Sequence, residues 1–444
     1  MIHAPRCIAA GMLGSALLLV ATWASAESAA GSLPEPLSLS EAFVVADAES
    51  HPQFQRVEAA YQRAEAELLA VDAANGTQLS LQGKARWIEP ADLAADQSHN
   101  DSSAHLYLRK RLYDFGQSRH AEAAGEAQLT GERLNLRRAE DQKRIEVMER
   151  FFDVLLADVQ NGVDNEGMAI AFVTLDKARD RNELGQLSDI ELLEYESNYQ
   201  TQRLRVASSS AQKRSTRALL AAALNRPGEL SSELVEPELG ALDRKLPEFE
   251  TLLAAAVESN PRMRAQRELL EAARLRVEAA RREGRPQLSG ELESSIYNRD
   301  GGSRDPFRAG LVLDVPLFTG GRVNAAVAKA RASLHGLQAD YAIEQREMNQ
   351  RLLELWQQIG LLHIKREEMV ALADYRDLYL DRSRALYELE VKTDLGDAMV
   401  RFAEARYQRT KTDYELLLAW AKLDALTGNR PGSYWLAGGV KGNE

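Results

Sequence analysis

The sequence predicts a mainly α-helical protein that also forms a membrane-spanning β-barrel, with its elements arranged as two tandem structural repeats. Three observations lead to this fold class: an export signal at the N-terminus, long stretches without proline, and short segments in which apolar and polar residues alternate. Only 6% of the 444 residues are aromatic, and the abundance of Ala, Leu, Glu, Arg and Gln is typical of long helices.

The first 26 residues have the pattern of a cleavable secretory signal peptide. Arg6 supplies a positive charge, an apolar run extends from Ile8 to Trp23, and Ala24-Ser25-Ala26 is an A-x-A cleavage site. The alternative, an N-terminal membrane anchor, would need a longer apolar stretch. Cys7 is the only cysteine and would be removed, so we predict neither a disulfide nor a lipid anchor. No later stretch approaches about 18 consecutive apolar residues, so an exported chain of this kind is either soluble or a β-barrel.

Four landmarks occur in the same order in both halves of the chain, which indicates an internal repeat. They are His51-Pro52 and Asn260-Pro261, Gln78-Leu79-Ser80 and Gln287-Leu288-Ser289, Leu112-Tyr113-Asp114-Phe115-Gly116 and Leu317-Phe318-Thr319-Gly320-Gly321, and Asn-Arg-Pro-Gly at 225–228 and at 429–432. Shared helical composition alone would not keep the proline and glycine positions in step. Each copy therefore predicts the order helix, strand, strand, long helix, helix.

The predicted elements follow from this order. In the first copy they are a helix at about 40–74, strands at about 77–88 and 104–113, a long helix at about 117–183 and a last helix to about 224. In the second copy they are a helix at about 248–283, strands at about 287–297 and 307–318, and helices at about 323–388 and 394–426. A helix of roughly 67 residues spans about 100 Å, so two shorter helices placed end to end match one long helix.

The predicted domain boundaries follow the two copies. They are a signal peptide at 1–26, an N-terminal extension at 27–36, the first repeat at 37–228, an inter-repeat linker at 229–246, the second repeat at 247–432 and a C-terminal tail at 433–444.

The four predicted strands each carry apolar residues on one face and polar residues on the other. Such segments suit barrel strands, although an ordinary half-buried sheet shows the same alternation. The export signal and the long helices favour the barrel. Four strands cannot close a barrel and an open edge cannot face lipid, so the chain must oligomerise; the sequence alone allows two, three or four chains.

Charged residues on the polar face are basic in the first copy and mostly acidic in the second. They are Lys84, Arg86, Arg109, Arg111, Glu291, Glu293, Arg308 and Asp314. Opposite charges could alternate around a pore, or they could pair across strands and stabilise the sheet; we favour the pairing.

Taken in order, these motifs resemble the TolC-like outer-membrane efflux protein family, or outer membrane factors. The resemblance rests on Leu39-x-x-Ala42, His51-Pro52, Gln78-Leu79-Ser80 and the turns at 112–119 and 316–322, and it covers about Leu37 to Pro431. It implies a homotrimer with a twelve-stranded outer-membrane barrel and a long α-helical periplasmic tunnel. It also implies passive conduction, driven by an inner-membrane transporter through a periplasmic adaptor (membrane fusion) protein.

The resemblance further implies that two helix–helix turns at the periplasmic tip contact the adaptor. These turns map to Leu184-Gly185-Gln186-Leu187-Ser188 and Leu389-Glu390-Val391-Lys392-Thr393. The second turn departs from the family pattern, because Glu390 stands where a glycine is common. Asp394 and Asp397 are candidate gate residues that would attract cations; the alternative is that they only complement the dipole of the last helix.

The sequence contains no pattern that indicates enzymatic chemistry. H-E-x-x-H, P-loop and G-x-S-x-G motifs are absent, so we predict no catalytic, cofactor or metal site. A net charge of -12 argues against nucleic acid as a partner. A periplasmic adaptor and a soluble periplasmic coiled-coil scaffold are the competing functions. Drug efflux, metal efflux and type I secretion are equally compatible with the sequence.

Overall fold

A computed structural model describes residues 33–48, 51–94, 96–229, 231–237, 242–299, 304–389, 391 and 394–433. The predicted signal peptide lies outside these residues, as do most of the N-terminal extension and all of the C-terminal tail after Ser433. The chain divides into two units, 1–33 and 34–444. Of the first unit only Leu33 is described, so the architecture below is that of the second.

Eight helices and four strands are found in the described residues. The helices are α1 (Leu39–Ala48), α2 (Pro52–Asn75), α3 (Gln117–Glu183), α4 (Asp189–Ala223), α5 (Phe249–Ser259), α6 (Pro261–Arg282), α7 (Arg322–Glu388) and α8 (Leu395–Leu426). The strands are β1 (Gln78–Lys84), β2 (Ser103–Tyr113), β3 (Gln287–Tyr297) and β4 (Phe307–Asp314). The order of elements from α1 to α4 recurs from α5 to α8.

The prediction of one continuous helix at 40–74 and another at 248–283 was wrong. Each is two helices, and the second of each pair begins at a proline, Pro52 or Pro261. Proline lacks the amide hydrogen that a helix interior requires, but it is well suited to the first helical position. Before Pro261, the Asn260 side chain accepts hydrogen bonds from the amides of Arg262 (2.9 Å) and Met263 (3.1 Å) and so caps α6.

Two strands are shorter than predicted. β1 ends at Lys84 instead of about 88, because Arg86 leaves the ladder to form an ion pair with the buried Asp101. Beyond it, Trp87 makes an isolated bridge to Asn100. β4 ends at Asp314 instead of 318, since Pro316 cannot donate to a ladder.

The four strands form one antiparallel sheet in the order β1-β2-β3-β4. Its register places Ser80, Tyr107, Glu293 and Arg308 in one row across all four strands. Alternate residues of a strand point to opposite faces, so the register fixes which side chains share a face. Within the described part of the chain, the outer edges of β1 and β4 carry no further strand.

The helices lie along one another in antiparallel pairs. Along α3, the first half contacts α2 and the second half contacts α4, while α6 and α8 together line α7 and also reach α3. Aromatic and aliphatic side chains fill the contact between α3 and α8, where Phe152 stacks on Tyr414 with ring centroids 4.6 Å apart. None of the described helices combines the length and apolar character that a membrane crossing would need.

The linker between the two halves is tied to the middle of the helices. Leu37 pairs with Leu234 in parallel. Arg217 of α4 makes two 2.7 Å hydrogen bonds to the Asp158 carboxylate of α3 and also donates to the carbonyl oxygens of Ser231 and Ser232. These contacts hold the linker and the chain's N-terminal segment against the junction of the short helices.

Candidate functional site

One face of the sheet presents large apolar side chains to the exterior of the chain. They are Leu79, Leu81, Leu106, Leu112, Leu292, Ile296, Phe307, Leu311 and Leu313. Leu81 is 75% exposed and Leu311 is 71% exposed, although both belong to regular strands. Apolar patches of this kind on a folded protein mark a surface that another apolar phase or another protein covers.

The opposite face is polar, and its charges pair across the strands. Arg109 Nε lies 3.0 Å from Glu291 Oε1, and Arg308 Nη1 lies 3.7 Å from Glu293 Oε2. Both pairs join residues that are directly opposite in the register. Opposite charges that face each other on neighbouring strands stabilise a sheet. The two pairs also give the polar face alternating signs of charge.

Other members of the predicted polar set lie apart from these two pairs. Lys84 ends β1, and Asp314 ends β4 opposite Gln287. Arg111 lies at the base of the sheet, where it donates to Asn75 Oδ1 at 3.2 Å. Arg86 lies beyond β1 and pairs with Asp101. The set is therefore spread over the height of the sheet.

Sequence reasoning missed two residues that organise the polar side of the sheet. The His105 ring nitrogen Nδ1 lies 3.0 Å from Glu293 Oε1 and 2.9 Å from Ser295 Oγ. Asp101 holds Arg304 of the β3–β4 loop at 2.7 Å, besides its ion pair with Arg86. His105 and Arg109 are four residues apart in one strand, so the sequence alone predicts that they share a face. Asp101 sits in an irregular loop and carried no such signal.

The two turns that lead from the sheet into α3 and α7 share one backbone conformation. Phe115 and Gly116 have φ values of 55° and 87°, and Gly320 and Gly321 have 57° and 84°. Only the second turn uses glycine at both positions, although a left-handed backbone disfavours a bulky residue. Phe115 packs edge-on against Tyr113, with ring centroids 4.8 Å apart.

The first predicted adaptor turn, Leu184 to Ser188, is a tight and exposed connection between α3 and α4. Gly185 has φ of 71°, and its amide donates to the carbonyl of Asn182 at 2.8 Å. Ser188 Oγ accepts from the Glu191 amide at 3.3 Å, and the Glu191 carboxylate accepts from the Ser188 amide at 3.0 Å. This reciprocal capping box starts α4. The Ser188 backbone amide, followed by its hydroxyl, holds the pKa of Glu191 below its ordinary value.

We expect Ser188→Ala to loosen the first turn of α4 by about 1 kcal/mol, because the substitution removes the N-cap acceptor. The measurement is amide hydrogen exchange at residues 189–193. Ser197→Ala is the matched control, since Ser197 lies within α4 and alanine is the better helix former there. Equal exchange rates in the two variants would contradict the role of the capping box.

The second predicted turn is described only in part. Glu390, Lys392 and Thr393 lie outside the described residues, while Leu389 and Val391 are both 70% exposed. The two candidate gate residues follow it.

The carboxylates of Asp394 and Asp397 have different partners within the chain. Asp394 precedes α8 and accepts a hydrogen bond from Tyr379 Oη of α7 at 2.7 Å. Asp397 pairs with Arg401, one turn further along the helix, at 2.7 Å. Between them, Gly396 brings α8 against Ile170 of α3. No group of three or more metal-ligating side chains occurs among the described residues.

Several solved structures share this fold of long antiparallel helices joined to a two-faced sheet. A membrane protein from Pseudomonas aeruginosa matches with a TM-score of 0.71 at 19% identity, covering 88% of this chain and 90% of that one. The CmeC outer membrane channel of Campylobacter jejuni matches with a TM-score of 0.70 at 14% identity, covering 91% and 88%. The outer membrane protein VceC of Vibrio cholerae gives 0.69 at 15%, covering 88% and 96%.

Sequence comparison finds similarity to outer-membrane efflux proteins. The sequence model of the outer membrane efflux protein family matches residues 252–429, which fall in the second half of the chain. The outer membrane efflux protein BepC of Brucella suis biovar 1 (strain 1330) is 22% identical over 334 residues, which cover 72% of each chain. These matches confirm the resemblance to the TolC-like outer-membrane efflux protein family that the motifs indicated.

Proposed function

We propose that this protein is the outer-membrane exit duct of a tripartite efflux pump or a type I secretion system. It conducts passively what an inner-membrane transporter and a periplasmic adaptor deliver to it. The observation that carries the proposal is the sheet, which has an exposed apolar face, a polar face with paired charges, and two edges without a further strand in the described residues. The match to the outer membrane efflux protein family model supports the same function.

Barrel closure explains both the apolar face and the open edges. A membrane-spanning sheet must satisfy every backbone group internally, so β1 of one chain pairs with β4 of the next. Three chains of four strands give twelve, an even number within the range of known barrels. The family resemblance favours three chains over two or four. The apolar face then meets lipid, and the polar face with its Arg109–Glu291 and Arg308–Glu293 pairs lines the pore.

The helices form the periplasmic part of the duct. α3 and α7 have 67 residues each, so each spans about 100 Å below the sheet. Their far ends carry the turns Leu184–Ser188 and Leu389–Thr393, which we propose as adaptor contacts. The exposed Leu184, Leu389 and Val391 supply apolar surface for that contact. Asp394 and Asp397 follow the second turn and would gather six carboxylates around a threefold axis, where they attract cations.

The competing functions fit the described sheet less well. A periplasmic adaptor would carry many short strands in a small separate domain, whereas the described strands form one antiparallel sheet with contributions from both halves of the chain. A soluble coiled-coil scaffold would leave nine large apolar side chains of the sheet exposed to water.

The mass of the native particle tests the proposal. The protein is extracted from outer membranes with a nonionic detergent, and its mass is measured by light scattering with a correction for bound detergent. We expect three chains, recovered only in the detergent extract. A monomer that appears in a salt wash without detergent would overturn the proposal and favour the scaffold or the adaptor.

A further inference from the structure

A cavity of about 350 Å³ lies in the helical wall, between α3, α6, α7 and α8. It occupies the junction at which α6 begins and α8 ends, where Asn260 Nδ2 donates to the carbonyl of Leu426 at 3.0 Å. Its volume falls within the range of about 300 to 1,000 Å³ that is usual for small-molecule sites. The cavity is far from the two turns proposed as adaptor contacts.

The cationic groups of the cavity outnumber its carboxylates. Arg262 and Arg351 share one buried carboxylate, Glu344, which forms an ion pair with Arg262 and lies 3.6 Å from Arg351 Nη1. Lys422 adds an exposed ammonium group at the rim. Arg351 also forms an ion pair with Glu347 outside the cavity. Four cationic side chains therefore line the cavity against three carboxylates, those of Asp141, Glu344 and Glu354.

Arg138 has less compensation than either of these arginines. It is half-buried in the cavity wall, and no carboxylate of the described residues lies within 4.0 Å of its guanidinium group. Burial, reinforced by the charge of Arg262, lowers the pKa of Arg138. A guanidinium group withdrawn from water needs an anionic or polar acceptor. Among the described residues, none is within hydrogen-bond or ion-pair distance of the Arg138 guanidinium group, and Glu344 acts on it only through its charge.

Asp141 lies one helical turn from Arg138 and makes the charge of the cavity dependent on pH. It is 5% exposed, and within the described residues its Oδ2 has no hydrogen-bond partner. Burial raises its pKa to about 6, against the opposing charges of Arg137, Arg430 and Arg144 and with a further increase from Glu140. As the pH falls through 6, Asp141 becomes neutral and the excess of positive charge grows.

The rest of the lining has three polar side chains, those of Gln142, Glu354 and Gln358, and an apolar group. The apolar group consists of Ile145, Pro261, Met348, Leu355, Ala425 and Leu426. An anion held by Arg138 would therefore lie beside a hydrophobic surface that can take a short hydrocarbon chain.

We propose that this cavity binds a small amphipathic anion. Its carboxylate, sulfonate or phosphate group accepts hydrogen bonds from Arg138, with Arg262 and Arg351 behind, and its short apolar chain packs against Met348 and Leu355. All residues that line this site belong to one chain.

Hexanesulfonate is the probe, because it carries one anionic head group and is too short to form micelles at working concentrations. Its binding to the full-length protein in nonionic detergent is measured by isothermal titration calorimetry. We expect hexanesulfonate to bind saturably to the unchanged protein. Hexanol, which has the same chain but no charge, should not bind. Arg138→Gln should weaken the binding about tenfold or more, since it removes a charge-assisted contact, and Arg138→Lys should weaken it less.

Arg119→Gln is the matched control, because Arg119 is an exposed arginine of the same helix that lies outside the cavity. It should leave the affinity unchanged. Circular dichroism confirms that each variant is folded. Equal binding by Arg138→Gln and the unchanged protein, or no saturable binding to the unchanged protein, would overturn the proposal.

The pH dependence gives an independent test. We expect hexanesulfonate to bind more tightly at pH 5 than at pH 7.5, with the change centred near 6, because neutral Asp141 no longer repels the anion. Asp141→Asn should bind at pH 7.5 as the unchanged protein binds at pH 5, and its affinity should no longer vary across that range. An affinity of the unchanged protein that is independent of pH would contradict the placement of the anion beside Asp141.

Discussion

Gly428→Ala is expected to destabilise the protein by about 3 kcal/mol or more, the combined cost of a left-handed backbone and of overpacking. Gly428 follows the C-terminal end of α8 and has φ of 82°. A Cβ atom at this position would lie 2.5 Å from the carbonyl oxygen of Ser259 and 3.0 Å from its carbonyl carbon. Because the contact is with backbone, no side-chain rotation relieves it, and the turn between α5 and α6 must move.

Gly228→Ala is the matched control for Gly428→Ala. Gly228 also has a positive φ, of 100°, but a Cβ atom there would meet nothing within 4 Å. It should cost only about 1 kcal/mol, which is the conformational part of the penalty. The measurement is the midpoint of unfolding in detergent for the two variants side by side. If both variants lose the same stability, the close approach of Gly428 to Ser259 adds nothing to the cost of Gly428→Ala.

Trp420→Ala is expected to cost about 3 to 5 kcal/mol, the usual range for deleting a large buried aromatic side chain. Trp420 is 1% exposed on α8 and packs edge-on against His363 of α7. The guanidinium group of Arg244, in the linker, lies over its ring at 4.4 Å and pairs with Asp424 at 2.8 Å. The substitution would therefore open a cavity at the point where α7, α8 and the linker meet.

Trp420→Phe separates packing from hydrogen bonding at the same position. The indole nitrogen of Trp420 has no acceptor among the described residues, so phenylalanine loses no hydrogen bond and keeps an aromatic face for Arg244. We expect it to lose less than half as much stability as Trp420→Ala when both are unfolded in urea. Equal losses in the two variants would contradict this expectation, because they would show that a phenyl ring at position 420 contributes no packing stability.

The long helices could be predicted from the sequence because one strong local signal defines them. Neither 117–183 nor 323–388 contains a proline, and the turn after Glu183 has a glycine followed by a capping serine. Local capping chemistry of this kind is independent of the rest of the fold. It is therefore visible in a single sequence, and α3 ends where that chemistry predicts.

Two helix breaks were also local, yet the prediction missed them. Asn260-Pro261 has the sequence of an N-cap followed by a first-turn proline, which indicates a helix start at that position. The backbone chemistry of proline alone therefore divides each of these helices in two.

The remaining features depend on residues far apart in the sequence. The row that joins Tyr107 to Glu293 crosses 186 positions, and the register between β2 and β3 has no local signature. The cavity at Arg138 is lined by four helices from both halves of the chain. Only the packed structure shows that Arg138 lacks a carboxylate within ion-pair distance among the described residues, since acidic residues are frequent in the sequence around it.

Disulfide trapping between the two edge strands tests whether β1 of one chain pairs with β4 of the next. In a Cys7→Ser background the chain has no other cysteine, so cysteines can be placed on the polar face of β1, at Gln78, Ser80 or Gln82, and on that of β4, at Gly310 or Val312. Within one chain these edges are three strand spacings apart, or about 14 Å, well beyond the reach of about 7 Å for a disulfide. Ser80→Cys with Tyr107→Cys is the control, because those residues face each other within one chain.

We expect oxidation of intact outer membranes to convert at least one β1–β4 pair into covalent dimers and trimers, with no species larger than a trimer. The control pair should stay monomeric. If every β1–β4 pair remains monomeric under conditions in which the control disulfide forms, the sheets do not close edge to edge, and the barrel on which the proposed function rests does not exist.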